Sequence, residues 1–490
     1  MECTVTVSDK LCLHTEQLSF QVLSALRQRL TIANPERRSA VRAGADPDSV
    51  KPLIRLYKEH SGQMLIPRGA VNLLQKLAMQ HCLKLTWRSE VVSRSVRKLP
   101  LHQLPVELRA YQREAVQALH LGVQGYIKAP CGAGKTIIGA SAIASLGEPA
   151  LVLVHTHDLL GQWSSLFSEW GFRVRLISGG QAALAAKPLR INAGHPEIAV
   201  ATVQTLIRAG SAADSLLRSA GAVLLDEAHH APAGSFRELL ERCPARYRWG
   251  VTATPNRDDG WDVLLPMVIG PERWSISMSS LVRMGWLMMP ELLAIRSGAA
   301  LEPHQYLRGN KPNMTAATNV LVQHPARQKL LLQLAQLLSS RQRTTLLLVP
   351  RRKQAHSLAS ELQKMGVLAQ PVTSSVSKNL REQRLHQLRE GQLSVLVATQ
   401  LADEGLDVPR LDALIIASTG RAAGRAVQRI GRVMRLAPGK SKPLVIDIVD
   451  PTPFGGQWRA RSRAYLNELG LVASPPVMPS DALGAVERML

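Results

Sequence analysis

Residues 125–146 read GYIKAPCGAGKTIIGASAIASL: a short apolar run, a turn holding Gly132 and Gly134, and a helix-forming stretch opened by Lys135 and Thr136. Strand, glycine loop and helix in that order are what a phosphate-cradling loop requires. The two glycines let backbone N–H groups close around a β-phosphate, and the helix start adds its positive dipole end. Lys135 suits the charge of the β- and γ-phosphates, and the Thr136 hydroxyl is suited to ligating Mg2+. The loop opens on Ala129, where the strict pattern has glycine.

Outward from this loop the same rhythm repeats. Apolar runs of four to six residues, ALVLVH (150–155), IAVATV (198–203), GAVLLDE (221–227) and RWGVTATP (248–255), alternate with helical stretches. A second series follows: TTLLLVP (344–350), LSVLVATQ (393–400), ALIIAS (413–418) and PLVIDIVD (443–450). Short, continuously apolar strands suit a parallel sheet covered on both faces. Two α/β lobes are therefore predicted, over 101–275 and 326–455. A connector without clear periodicity lies between them at 276–325, and a tail follows at 456–490.

Residues 1–100 differ in pattern and read as a small basic α+β domain. HTEQLSFQVLSALRQRL (14–30) and AVNLLQKLAMQHCL (70–83) are predicted helices, and LIRLYKEHSGQMLIPRG (53–69) holds two strands turning at Ser61-Gly62. The segment carries sixteen Lys and Arg against eight Asp and Glu. Two readings stay open. Tyr57 and Trp87 serve as stacking rings on a phosphate-tracking surface, so that deleting residues 1–100 leaves the rest folded but binding polyanions less tightly. Alternatively the domain braces the motor, with both rings buried.

Length and charge bound the rest. A chain of 490 residues implies about three domains. Its 60 Lys and Arg against 37 Asp and Glu give +23, a field that favours polyanions, nucleic acid first. Cys3, Cys12, Cys82, Cys131 and Cys243 show no zinc-ligand spacing, and their odd number fits a reducing compartment. Neither a secretion signal nor an apolar run of membrane length is evident, so an intracellular, cytoplasmic protein is expected (nucleoid-associated if bacterial).

Asp226-Glu227-Ala228-His229 ends the apolar run GAVLLDE, at the sheet edge where parallel sheets bind ligands. One carboxylate there can hold a phosphate-bridging Mg2+, Asp226 in this reading, while Glu227 positions and polarises the attacking water. Further on, Gln428-Arg-Ile-Gly-Arg-Val-Met-Arg435 places Arg432 and Arg435 three apart. If that segment is helical they share a face and can reach a γ-phosphate together.

Taken in order, AxxGxGKT, DEAH, Thr252-Ala253-Thr254-Pro255, Ala398-Thr-Gln-Leu-Ala-Asp-Glu-Gly-Leu-Asp-Val-Pro409 and QRIGRVMR resemble motifs I, II, III, V and VI of superfamily 2 helicases. Arg109-Ala-Tyr-Gln112 resembles the segment that reads adenine in that superfamily, and LVHTHDLLGQW and ATVQTL resemble its motifs Ia and Ib. DEAHHAPAGSF followed by TATPNRDDG resembles the XPB-like and phage UvsW-like branch, with Arg257-Asp258-Asp259 where XPB-like proteins carry Arg-Glu-Asp. The resemblance implies two tandem RecA-like parallel-sheet lobes beside the small N-terminal α+β domain.

It also implies site roles. Arg109, Gln112, Gly132, Gly134, Lys135, Thr136, Gly405 and Asp407 would bind ATP, and Thr136 and Asp226 would hold Mg2+. Glu227, Gln428, Arg432 and Arg435 would be catalytic. Thr156, Thr202, Thr205 and Thr399 would contact the nucleic-acid backbone. The implied activity is ATP-dependent DNA helicase or translocase action with 3′-to-5′ polarity, on single-stranded, forked or branched DNA. Two alternatives remain: an ATP-gated DNA-remodelling subunit of a repair or defence assembly, with partner proteins and no unwinding of its own, and an RNA helicase.

Overall fold

The computed structural model describes residues 2–43, 46–94, 98–179, 182–192, 195–232, 234–255, 259–309, 311–399, 408–417 and 423–490. Contacts divide the chain into two units, Met1–Ala129 with Gly134–Ser275, and Pro130–Ala133 with Ile276–Leu490.

The first unit begins with a five-stranded mixed sheet. Its strands are β1 (Glu2–Val7), β2 (Lys10–His14), β3 (Lys58–His60), β4 (Gln63–Pro67) and β5 (Lys84–Ser89), in the order β3-β4-β2-β1-β5. Helices α1 (Phe20–Arg29) and α2 (Val71–Gln80) cover one face around Val5, Leu13, Leu26, Met64 and Leu74. The β3–β4 hairpin turns at Ser61 and Gly62, both left-handed at φ 50° and 75°, which suits a two-residue hairpin loop. Tyr57 is half-buried against this core, whereas Trp87 on β5 is 40% exposed. Each of the two readings of residues 1–100 thus has one ring in its favour.

After α3 (Ala110–Gly122) comes a seven-stranded parallel sheet. Its strands are β6 (Gln124–Lys128), β7 (Ala150–Val154), β8 (Val174–Ile177), β9 (Ile198–Thr202), β10 (Ala222–Asp226), β11 (Tyr247–Thr252) and β12 (Glu272–Ser275), in the order β8-β9-β7-β10-β11-β6-β12. Strands β7, β9, β10 and β11 are buried along their whole length, which explains their unbroken apolar sequences. Separate apolar clusters lie on the two faces of this sheet.

Two arginines fasten the N-terminal sheet to this lobe. The Arg68 guanidinium, 4% exposed, donates to the carbonyl oxygens of Ser8, Ala245 and Arg246, and the Arg68 carbonyl accepts from Gln124 Nε2 at 3.1 Å. In return Arg248, on β11 and 2% exposed, donates to the Asp9 carbonyl oxygen at 3.2 Å. It also reaches the carbonyls of Leu240, Cys243 and Val268, at or beyond the ends of the helices Gly234–Leu240 and Leu265–Val268. Such orphan carbonyls carry the negative end of the helix dipole, so a guanidinium is well placed on them. A side chain at Gly69 would overlap the backbone of Pro266 and Met267, so glycine sets this close approach.

The second unit holds a six-stranded parallel sheet of β13 (Glu291–Arg296), β14 (Thr345–Leu348), β15 (Ala369–Val372), β16 (Val395–Ala398), β17 (Ala413–Ile416) and β18 (Leu444–Val449), in the order β13-β18-β17-β14-β16-β15. The stretch 276–325, expected as a connector, contributes the edge strand β13. The stretch 456–490, expected as a tail, returns to the same edge. Val477 bridges Ile295, with the Val477 amide donating to the Ala294 carbonyl at 2.8 Å and the Arg296 amide donating to the Val477 carbonyl at 2.9 Å. Ala482, Ala485 and Val486 then complete the core between the sheet and its helices. The two parallel-sheet lobes and the small N-terminal domain are the architecture the sequence implied.

Candidate nucleotide site and its family

The carboxyl-terminal edge of the first lobe's sheet gathers the expected phosphate-loop and DEAH residues. Strand β6 runs into the glycine loop, which opens into α4 (Lys135–Leu146). Its neighbour β11 ends at Thr252, whose carbonyl accepts from the Ala129 amide at 2.9 Å, and β10, paired with β11, ends at Asp226. Gly132 and Gly134 take φ of 87° and 78°, a conformation that favours glycine. A Cβ on Gly134 would lie 2.5 Å from Gln112 Nε2, so the adenine-reading candidate sits directly against the loop. Gln112 is buried and its Oε1 accepts from the Arg109 amide at 3.0 Å, closing the start of α3. The Arg109 guanidinium donates to the Tyr111 hydroxyl at 3.1 Å.

Helix α4 is buried on every side from Ile138 to Leu146, and small residues make that possible. A methyl at Gly139 would sit 2.7 Å from the Trp163 ring. Trp163 belongs to α5 (His157–Glu169), is fully buried, and its Nε1–H donates to Asp226 Oδ2 at 2.7 Å. The other oxygen, Oδ1, accepts from the Glu227 amide at 2.8 Å. Trp163 had drawn no role from the sequence. Its signal is spacing: Leu160, Trp163 and Phe167 form the buried stripe of α5.

Glu227 stands in the left-handed region at φ 49°, ψ 57°, a conformation that costs about 1–3 kcal/mol in a residue with a side chain. Its Oε2 lies 3.4 Å from His229 Nδ1, and that nitrogen is 3.0 Å from Thr252 Oγ1. The Thr252 hydroxyl in turn donates to the Thr254 carbonyl at 3.3 Å. The DEAH segment and the Thr-Ala-Thr segment are thus joined through one imidazole. The His230 ring centroid lies 4.3 Å from that of His229, 4.7 Å from His155 and 5.8 Å from Phe236.

Electrostatics separate the two carboxylates. Burial and the adjacent Glu227 charge push the Asp226 carboxyl up, against the Trp163 hydrogen bond and the Lys135 charge. Burial pushes Glu227 the same way, but Lys135 and His229 outweigh it and hold that carboxyl below its ordinary range. The Asp226 carboxylate and the Thr136 hydroxyl, which follows Lys135 at the start of α4, offer oxygen donors of the kind that suit a hard cation such as Mg2+. Two left-handed glycines, a helix start and Lys135 suit a polyphosphate.

Thr156 caps α5, its Oγ1 accepting from the Leu159 amide at 3.3 Å. Thr202 and Thr205 are buried and bond each other at 2.8 Å, and Thr205 also accepts from the Gly179 amide at 3.1 Å. Thr399, 9% exposed, follows β16. In the second unit, helix α6 (Ala423–Val433) carries Gln428 and Arg432. The shared helical face does not extend to Arg435, which lies two residues past the end of α6 and pairs with Leu287 in an antiparallel bridge. Arg429, the residue after Gln428, is buried in the same helix. Gly405, Asp407, Arg257 and Asp258 lie outside the described residues; Asp259 accepts from the Trp261 amide at 3.2 Å. No helix among the described residues is long and apolar enough to cross a membrane.

Comparison with known proteins agrees with this layout. Residues 105–257 match the family described as type III restriction enzyme, res subunit, and residues 327–437 match the helicase conserved C-terminal domain. The DNA 3′-5′ translocase XPB2 of Sulfurisphaera tokodaii is 26% identical over 384 residues, covering 71% of this chain and 83% of its own. The DNA 3′-5′ helicase XPB of Mycobacterium tuberculosis is 25% identical over 415 residues, covering 80% and 70%. A putative helicase of a Sulfolobus islandicus filamentous virus is 27% identical over 362 residues, and the match spans 70% of this chain and 64% of the viral protein. Among solved structures, a DNA-bound type ISP restriction-modification enzyme, LlaBIII, superposes with a TM-score of 0.55 at 14% identity, covering 77% of this chain and 32% of its own. Two matched helicase domains in the expected order, on two parallel-sheet lobes, with XPB-type relatives over most of the chain, are consistent with a superfamily 2 helicase of the XPB-like kind.

Proposed function

We propose that the protein is an ATP-dependent DNA helicase or translocase that converts ATP hydrolysis into DNA unwinding or branch remodelling with 3′-to-5′ polarity. The observation that carries the proposal is the chain of contacts Trp163–Asp226–Glu227–His229–Thr252 beside Lys135. It holds two carboxylates in different electrostatic states next to a phosphate loop, as phosphoryl transfer to water requires. The polarity rests on the names of the relatives.

In this reading the glycine loop and Lys135 bind the β- and γ-phosphates, Gln112 and Arg109 read the adenine, and Thr136 and Asp226 hold Mg2+. Bound there, Mg2+ would supply neutralisation of the phosphate charge. Glu227, kept ionised, orients the attacking water and accepts its proton. Its link through His229 to Thr252 ties that task to the segment after β11. Gln428, Arg432 and Arg435 belong to the second unit. The guanidinium groups of Arg432 and Arg435 stabilise the charge that develops on the γ-phosphate. Gly405 and Asp407 join the nucleotide contacts. Thr156, Thr202, Thr205 and Thr399 track the backbone of the strand, with Thr202 and Thr205 turning outward from their present mutual bond. The domain limits proposed are 1–100, 101–275, 276–325, 326–455 and 456–490, with β13 and the last helices serving the second lobe.

The test is the ATPase rate of the full chain with single-stranded, duplex and forked DNA and with RNA, alongside strand displacement. Stimulation by DNA above RNA, with displacement, and loss of both in Lys135→Ala, is the expected result. Greater stimulation by RNA overturns the substrate, and turnover that survives Lys135→Ala overturns the site. ATPase without displacement leaves the DNA-remodelling alternative.

A further inference from the structure

Lys440 ties together two segments of the second unit that the proposed chemistry uses. It ends the turn Ala437–Lys440, in which Gly439 is left-handed at φ 67°. Its ammonium donates to the Arg435 carbonyl oxygen at 2.7 Å and to the Pro409 carbonyl oxygen at 2.9 Å. Arg435 closes the arginine-bearing segment, and Pro409 stands two residues after Asp407.

The surroundings favour a fixed strap over a passing surface contact. Val408 and Leu411 are buried, and the Leu411 amide donates to the Val408 carbonyl at 3.1 Å, so Pro409 sits on an anchored turn. Asp412, also buried, accepts from the Thr344 amide at 2.9 Å and pairs with Arg343 at 3.5 Å. Burial draws the Lys440 ammonium down to about 8, with Asp412 acting against the fall and Arg435 adding to it. A partly buried ammonium is costly unless hydrogen-bonded, and two carbonyl acceptors supply that compensation. Independently, the Met288 amide donates to the Met434 carbonyl at 2.8 Å, so the residue before Arg435 is held as well. Arg435 lies beyond the end of α6 and therefore lacks the helix ladder that fixes Arg432.

We propose that Lys440 is a positioning residue for ATP hydrolysis, fixing the Arg435 backbone against the segment after Asp407 so that Arg432 and Arg435 are presented as a preset pair. This rests on the ATPase reading above. Lys440 touches no reacting atom in this scheme; it limits where the Arg435 guanidinium can go. Misplacement of a catalytic group by about 1 Å can cost on the order of a hundredfold in rate.

The experiment uses the full chain with Lys440→Met, which keeps the aliphatic stem and removes the donors, and Lys440→Arg, which restores donors. Steady-state ATPase with forked DNA and hydrogen exchange of amides 432–441 in nucleotide-free protein are both measured. Lys440→Met is expected to lower kcat at least about tenfold, with KM for ATP within about threefold, and to speed exchange at 432–441. Lys440→Arg should recover most of both. Wild-type kcat in Lys440→Met overturns the proposal, and so does a Lys440→Arg variant as slow as Lys440→Met. A loss of kcat that vanishes well below the melting temperature also overturns it, since that marks mere instability. If the wild type has no DNA-stimulated ATPase, the functional reading fails by itself, and unchanged exchange in Lys440→Met then removes the strap as well.

Discussion

Replacing Arg68 with alanine should destabilise the first unit far more than a typical change in an accessory domain. The guanidinium is buried and spans the junction, donating to Ala245 and Arg246 in the motor lobe. Truncation leaves the buried Ala245 carbonyl and the part-buried Arg246 carbonyl without this donor; at about 1–3 kcal/mol for the first and less for the second, a loss of about 2–4 kcal/mol is expected. The gain from no longer desolvating a guanidinium, which burial has drawn down to about 9, offsets part of that and favours the lower half of the range. For a folding unit of this size, about 2–3 kcal/mol corresponds to a fall of about 4–12 °C in Tm. Deleting residues 1–100 removes more: the Asp9 carbonyl from Arg248, the Lys10 partner of Glu241, and the cover over Met267. The deletion should therefore yield a protein that aggregates or melts well below the full chain. Thermal and urea melts of full-length, Arg68→Ala and truncated protein decide it. A soluble truncated protein with the Tm and ATPase of the full chain would refute the reasoning and restore the detachable domain that the sequence alone allowed.

Three further outcomes are expected. Glu227→Gln should trap ATP on DNA without turnover. Because the Glu227 carboxyl is held below its ordinary value of 4.5, its charge stabilises the fold above that pH, and the benefit fades as pH falls towards the lowered value. Nucleotide-free Glu227→Gln should thus melt below wild type at pH 7, with the gap closing below pH 4.5; an equal gap at both pH values contradicts the charge argument. Arg435→Ala should lower kcat by at least about a hundredfold with little change in nucleotide affinity, as for an arginine finger, and near-normal turnover would shift the role to Arg432. Trp163→Phe removes the Nε1 donor from Asp226 and should raise the Mg2+ concentration needed for half-maximal ATPase by about ten- to hundredfold, as loss of a ligand-orienting partner does. An unchanged Mg2+ titration would mean that Asp226 does not hold the metal.

Much of this was readable from the chain because the central strands are buried on both faces and so are written as unbroken apolar runs. The edges were harder. Val174–Ile177 and Glu272–Ser275 are half-exposed strands with charged residues, and Glu291–Arg296 sits in a stretch without periodicity, so neither alternation nor an apolar run marks them clearly. The nucleotide loop and the DEAH carboxylates were legible because contiguous residues make them. The Trp163 bond to Asp226 and the His229 bond to Thr252 join residues 63 and 23 positions apart, and only packing brings them together. The helix end before Arg435 had a local signal, since Pro438-Gly439 follows within four residues. Tyr57 and Trp87 could not be told apart by sequence, because both are aromatic residues in short strand-rich segments.

The pairing of Val477 with the β13 edge has a consequence for how the chain comes into being. Apart from Pro130–Ala133, nothing before residue 276 belongs to the second unit, whereas that unit's edge is sealed by Val477 and its core is filled by Ala482, Ala485 and Val486. During synthesis from the amino terminus, the first unit has its own strands in hand some two hundred residues before the second has its last ones. Over that interval β13 presents an unpaired edge and an open apolar face, the features on which nascent chains associate wrongly. Premature termination anywhere between residues 297 and 476 should accordingly yield aggregates rather than a half-active motor.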